Sequence, residues 1–226
     1  MPSFSADFSA ILLSLKVAAT STLLVLPIGF GVAYLLAFVP FRGKVMAEAL
    51  VNLPLTLPPV VVGYFLLLLL GKNGWLRPLF DALGVRLLFT WKAAVVASMV
   101  VGFPLLVRSI RISMEELDAG LIQASRTLGA TWFDSLCSII LPLSSRGIIA
   151  GASLFFARSL GEFGATIIVA GNIPGVTQTI PLAIYEYTAA PGGEAAALWL
   201  CLVAVVISLA VLLFHEYLTR HFKLGN

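Results

Sequence analysis

Residues 11–39 read ILLSLKVAATSTLLVLPIGFGVAYLLAFV. A helix needs about 20 mostly apolar residues to cross the hydrocarbon core of a bilayer, and this run exceeds that length. The residues before it, MPSFSADFSA, lack a basic segment. The run is also too long for the apolar part of a cleavable signal. It is therefore expected to be a permanent first span.

The rest of the chain agrees with that reading. Of 226 residues, 60% are hydrophobic and 11% charged, and the mean hydropathy is +1.03. Soluble domains carry roughly 25% charged residues, so the bilayer is the expected solvent. The segments with polar character, 72–92 and 108–146, are too short to bury a core of their own. A single membrane domain over 1–226 is expected. The net charge of +3 is spread over loops with no long Lys/Arg run, which argues against a nucleic-acid partner. Cys137 and Cys201 read as unpaired apolar fillers, and no His/Cys/Asp cluster has metal-ligand spacing.

Further spans are expected at Ala47–Leu70, Trp91–Val107, Gly147–Ala170 and Ala195–Phe214. The stretch Gly171–Ala190 is interrupted by Pro174, Gly175 and Pro181 and reads as a short, partly inserted segment. The expected fold class is thus an all-α integral membrane protein of about five transmembrane helices plus that segment. Basic residues favour cytoplasmic loops. With the N-terminus outside, the inner segments hold Arg42, Lys44, Arg108, Arg111, Arg126, Arg146, Arg220 and Lys223, against Lys72, Arg77, Arg86 and Lys92 outside. An outside N-terminus and a cytoplasmic C-terminus are expected. Trp75, Trp91 and Trp199 then fall near the outer interface, and His215 and His221 near the inner one.

The most informative stretch is 108–146, RSIRISMEELDAGLIQASRTLGATWFDSLCSIILPLSSR. Leu117, Leu121, Ala124 and Leu128 recur at helical spacing. Glu115, Glu116 and Asp118 sit at the favourable end of that helix, and Gly129 offers its stop. A second helix, Trp132–Ile140, is expected to end before Pro142. Two readings stay open: an amphipathic helix lying on the membrane, or a docking helix whose small residues Ala124, Ser125, Gly129 and Ala130 fit a partner's groove.

Gln123–Pro142, QASRTLGATWFDSLCSIILP, resembles the loop signature of bacterial ABC import permeases: a Glu-Ala-Ala triplet, three residues, Gly, nine residues, then Ile-x-Leu-Pro. Ala124, Gly129, Ile139, Leu141 and Pro142 match, while Gln123 and Ser125 replace Glu and Ala. The resemblance implies the architecture of a type I ABC importer permease, with a coupling loop over about 112–142. That loop would dock on an ATPase subunit through Gln123, Ala124, Ser125, Gly129, Ala130, Ile139, Leu141 and Pro142. The chain has no G-x-x-x-x-G-K-[ST] phosphate loop, so it is not expected to be an enzyme. ATP and Mg would belong to the partner, and no cofactor to this chain. Two stretches, LPLTLPPVVVGYFLLLLLG (53–71) and ARSLGEFGATIIVAGNIPGVTQTIPLAIY (157–185), are similar to the molybdate/tungstate–sulfate group of these permeases. PPVVVGY and the PGGE at 191–194 place it nearest the molybdate members, with a sulfate or thiosulfate permease as the alternative. The resemblance further implies a homodimer in a bacterial inner membrane, two cytoplasmic ATPase subunits and an external oxyanion-binding protein.

Pathway candidates follow from polar and helix-breaking residues at membrane depth. Pro54, Pro58 and Pro59 remove three backbone donors. They either break a helix beside a cavity or merely start one. Arg158 and Glu162, four apart, form either a structural pair or a feature of the pathway, where ionisable groups are costly. Ser153, Ser159, Thr166, Thr177, Gln178 and Thr179 supply neutral donors suited to weak contacts with a passing ion. A secondary transporter would need inverted repeats and a membrane enzyme a nucleophile–base or metal constellation; neither is visible.

Overall fold

The opening apolar run folds as one helix, α1 (Phe4–Phe38), in the computed structural model, which describes residues 4–221 except 73, 83 and 85. In lipid a helix satisfies its own backbone donors and acceptors, which is why such runs take this form. There follow α2 (Lys44–Thr56), α3 (Pro59–Leu70), α4 (Arg77–Ala82), α5 (Trp91–Glu115), α6 (Ala119–Thr127), α7 (Trp132–Leu143), α8 (Ser145–Leu160), α9 (Gly164–Ala170), α10 (Ile180–Ala189) and α11 (Glu194–His221). No strand occurs among the described residues. Three helices are each long and apolar enough to cross a membrane: α1 over Asp7–Phe38, α5, and α11 over Glu194–Tyr217. The count reaches five when the bent pairs α2–α3 and α7–α8 are each taken as one crossing.

Five expectations need correction. Ala47–Leu70 is not one rod: α2 and α3 meet at 113°. Leu57 is extended at the end of α2, Pro58 precedes α3 and Pro59 opens it. Proline tolerates a first helical turn but not an interior one, and it pushes its predecessor towards an extended backbone. Trp91–Val107 continues to Glu115, so residues 112–115 of the expected coupling loop belong to a membrane helix. Only Asp118, of the three acidic residues expected to open the next helix, caps it; Glu115 and Glu116 close α5. The helix from Trp132 does not stop before Pro142. It widens into a π-turn over Leu136–Ile140 and carries on to Leu143, the kind of local insertion that absorbs an interior proline.

The span expected at Gly147–Ala170 also breaks, at 161–163, into α8 and α9. Within Gly171–Ala190 the ten-residue α10 forms, about 15 Å long at 1.5 Å per residue, half of a crossing. The basic residue Lys223 lies outside the described residues, and for Arg220 and His221 only the helical backbone is described.

Close packing runs along seams of small residues, as is usual where lipid removes the hydrophobic drive between helices. Gly147 and Gly151 of α8 lie on α5 at Ser109, Ser113 and Leu106, and Ser109 Oγ donates to the Gly147 carbonyl at 3.1 Å. Gly102 of α5 receives the Phe155 ring, where an added Cβ would sit 2.6 Å from the ring edge. Leu106, Val107, Ile110, Met114 and Phe155 are fully buried there. Ser21 of α1 and Ser159 of α8 share a buried hydrogen bond of 3.0 Å. Ser159→Ala is expected to lower stability by about 0.6 kcal/mol, the mean for interhelical bonds in membranes. The measurement is the unfolding midpoint in detergent; an unchanged midpoint would mean that Ser159 only fills space.

Candidate functional site

The 116–144 segment is built to hold a shape without being buried. Asp118 caps α6 by accepting the Gly120 N–H at 2.8 Å. At the other end Gly129 takes φ +89°, while its N–H bonds to Arg126 O and the Ala130 N–H to Ser125 O, both at 3.0 Å. This double bond around a left-handed glycine is the Schellman closure. Thr131 then opens α7: its hydroxyl accepts the Asp134 N–H, and the Asp134 carboxylate accepts the Thr131 N–H at 2.9 Å. The same hydroxyl and amide hold the Asp134 carboxyl below its ordinary range.

None of the α6 residues is buried. Leu121, Leu128 and Phe133 face outward, Leu128 with 89% of its surface exposed. The inner side is fastened at three points. Leu117, Ile122 and Leu136 pack on the α1–α5 core. Ser125 and Ser135 share a hydrogen bond of 2.9 Å between α6 and α7. Trp132 Nε1 donates to the Tyr34 hydroxyl of α1 at 2.6 Å, with the two rings edge to face.

These contacts sort the sequence candidates. Gln123, Ala124 and Gly129 are exposed on or beside α6. Ser125 turns inward to Ser135, and Ala130 is half-buried. Ile139, Leu141 and Pro142 stand on the neighbouring helix, α7, at and after its π-turn.

Of the pathway candidates, Pro58, Pro59, Glu162 and Thr166 stand at the starts of two half-helices that lie side by side. A Cβ on Gly164 would lie 2.9 Å from Pro59 Cβ, and one on Gly63 2.8 Å from Ala165 Cα, so α3 and α9 touch backbone to backbone. Glu162 sits in the break before α9, its side chain 2% exposed. One oxygen accepts the Ala165 N–H at 2.9 Å; the other lies 2.8 Å from Arg158 Nη1 as an ion pair without hydrogen-bond alignment. A carboxylate at a helix start and a cation in the last turn of α8 both suit the helix dipoles. The arrangement supports the structural reading of the pair. Pro58 is exposed and Pro59 half-buried, whereas Thr166 and Thr179 are buried within the chain.

Other neutral donors are spent on the 171–179 loop. Thr177 accepts the Ile173 N–H, and Gln178 and Asn172 both donate to Glu186, at 2.6 and 2.8 Å. Both cysteines are free thiols.

Sequence reasoning passed over several contacts. Lys16 of α1 stands 3.9 Å over the Trp91 ring, a cation–π contact. Tyr187 donates to Asp7 at 2.6 Å, and the Ile180 N–H to Ser14, tying α10 to α1. Lys16 and Asp7 were visible as charges near a span; their partners were not.

Residues 25–224 match the family described as the binding-protein-dependent transport system inner membrane component. The chain belongs to this family. It is a multi-pass membrane transport subunit. Among named relatives, it is 50% identical to the molybdenum transport system permease protein ModB of Haemophilus influenzae, over 97% of both chains. It is 47% identical to ModB of Escherichia coli K12, over 95% and 94%. The inward-facing MetNI methionine ABC transporter matches in structure with a TM-score of 0.72 at 18% identity, over 94% of each chain; at that identity the likeness shows the fold. The family member described here therefore has the fold of an ABC importer permease.

Proposed function

We propose that the chain is the membrane-spanning permease subunit of an ATP-driven importer that carries molybdate into the cytoplasm. The observation that carries this reading is α6 with Gly129: a segment capped at both ends, fastened to α1 and α5, and left bare on its outer face. A transporter chain that carries no phosphate loop needs such a docking element for an external motor. The ModB relatives, similar along nearly the whole chain, supply the substrate class. The sulfate alternative is weaker: the sulfate permease CysW of Synechococcus elongatus is 35% identical over 78% of this chain and 62% of that protein.

In this reading two copies pair about a central pathway. Two ATPase subunits, which hold ATP and Mg, each receive one α6–α7 segment through Gln123, Ala124, Gly129 and their neighbours. Trp132 and Tyr34 carry the push to α1. The N-terminus lies outside and the C-terminus in the cytoplasm of a bacterial inner membrane. An external binding protein delivers the oxyanion to the 72–90 and 171–194 loops. Pro58, Pro59 and Arg158 border the pathway at the α3–α9 junction; Thr166 and Thr179 steady its walls.

The test is uptake of radiolabelled molybdate by proteoliposomes holding the chain, its ATPase and its binding protein. Uptake should require ATP and be competed by cold tungstate, not by sulfate. Equal competition by sulfate would move the substrate to the alternative, and uptake without ATP would sink the permease reading.

A further inference from the structure

Between α1, α2 and α5 lies a cleft of about 310 Å³. Leu36, Val51, Val107 and Ile112 form its apolar floor, and Arg108 and Arg111 stand at its rim. Arg108 lies about 25 Å along α5 from Trp91, at 1.5 Å of rise per residue. With a hydrocarbon core of about 30 Å, that places the guanidinium where α5 leaves the apolar layer rather than in its middle.

The two arginines differ in how they are satisfied. Arg111 is held by Glu48 at 3.0 Å and by Glu115 at 2.6 Å. Arg108, one turn earlier, is exposed and makes no hydrogen bond or ion pair among the described residues. Its guanidinium is the one left without a partner in the cleft. The α2 wall buries none of its residues against the rest of the chain, so this side is open to an amphipathic molecule.

We propose that this cleft binds an anionic phospholipid, with the phosphate on Arg108 and the glycerol and upper acyl carbons on the apolar floor. The shared chemistry is that of a tetrahedral oxyanion, and the lining favours the lipid as its source. A free dianion would trade part of its hydration for one unpaired guanidinium beside two carboxylates, Glu48 and Glu115, and gain nothing from the apolar floor, a poor exchange. A lipid phosphate carries less charge, keeps its outer face in water, and gains the rest from apolar burial. A lipid seated there bridges α2 to α5 beside the Glu48–Arg111 pair and steadies the lower limb of the bent α2–α3 crossing.

The experiment places the purified full chain in nanodiscs of phosphatidylcholine with a minor fraction of phosphatidylglycerol, and counts retained lipids by native mass spectrometry. Phosphatidylglycerol should be enriched on the wild type. Arg108→Gln should lose roughly fivefold of that enrichment, the scale of one arginine at an anionic surface. Arg108→Lys should keep most of it, as should Arg126→Gln, which removes an exposed arginine elsewhere. Equal enrichment on Arg108→Gln overturns the proposal. Displacement of the lipid by millimolar molybdate or phosphate overturns it too, because the site would then serve the free anion. Lipid retention is read without transport, so the test stands apart from the uptake assay.

Discussion

Gly129→Asp should abolish ATP-driven uptake while leaving the chain in the membrane at its normal level. The glycine ends α6 at φ +89°, and nothing lies within 4 Å of the place where a side chain would grow. The position is therefore open in the isolated chain, and aspartate is among the few residues that tolerate a left-handed backbone. The fold should survive with a strain of about 1 kcal/mol. The docked state should not. An unpaired carboxylate pressed into a protein interface costs roughly 3 kcal/mol or more, which is on the order of 100-fold in affinity for the ATPase. Gly129→Asn separates charge from shape: it keeps the backbone preference without the charge and should retain most uptake. Co-purification of the ATPase and uptake are the two readouts. Normal transport by Gly129→Asp would remove α6 from the docking role.

Glu162→Ala should be the most damaging single change at the α3–α9 junction. It strips α9 of the acceptor for the Ala165 N–H and leaves Arg158 without its partner. Breaking a buried ion pair from one side costs about 3–5 kcal/mol. Arg158 is 32% exposed and can turn towards the surface, so about 2 kcal/mol is expected here. Glu162→Gln keeps an acceptor for the amide and should lose less. Arg158→Gln with Glu162→Gln should recover part of the loss, since no charge is then stranded. Detergent unfolding of the wild type, Arg158→Gln, Glu162→Gln and the double variant gives the coupling between the two sites. Additive losses would mean that the contact contributes nothing and that Glu162 acts only as the cap of α9.

Much of the fold was legible before any coordinates. The run 11–39 could only be a span, because its apolar side chains and its length suit lipid and little else. Pro54, Pro58 and Pro59 left two readings open, a broken helix or a mere helix start, since none can donate to a helix ladder. The 113° turn was not legible, nor was the packing of α3 on α9 at Gly63 and Gly164, which joins residues far apart in the chain. Pro142 misled for a related reason. Its ring forbids a regular interior turn, but the π-turn at Leu136–Ile140, two to six residues earlier, lets the helix carry on. The extension of α5 past Val107 was hidden by polar side chains, which mark the edge of lipid and not the end of a helix.

The candidate site divides in the same way. Spacing picked out the helix with its small residues and the glycine stop, because capping and left-handed closure are local chemistry; Gln123 came from the resemblance to import permeases. Spacing also paired Arg158 with Glu162, which are one helical turn apart. It did not reveal that Ser125 faces Ser135, that Trp132 hangs from Tyr34, or that Lys16 lies over Trp91. Periodicity says which residues share a face; it does not say which face finds a neighbour. What the amino-acid order determined by itself was the apolar solvent, the all-helical class and the local capping of the α6–α7 segment, all of which follow from side-chain transfer energies and local backbone preference. What only the tertiary structure decided was which breaks meet, which charges are answered and which arginine is left over, because those depend on contacts between residues far apart in the chain, such as Ser21 and Ser159, 138 positions apart.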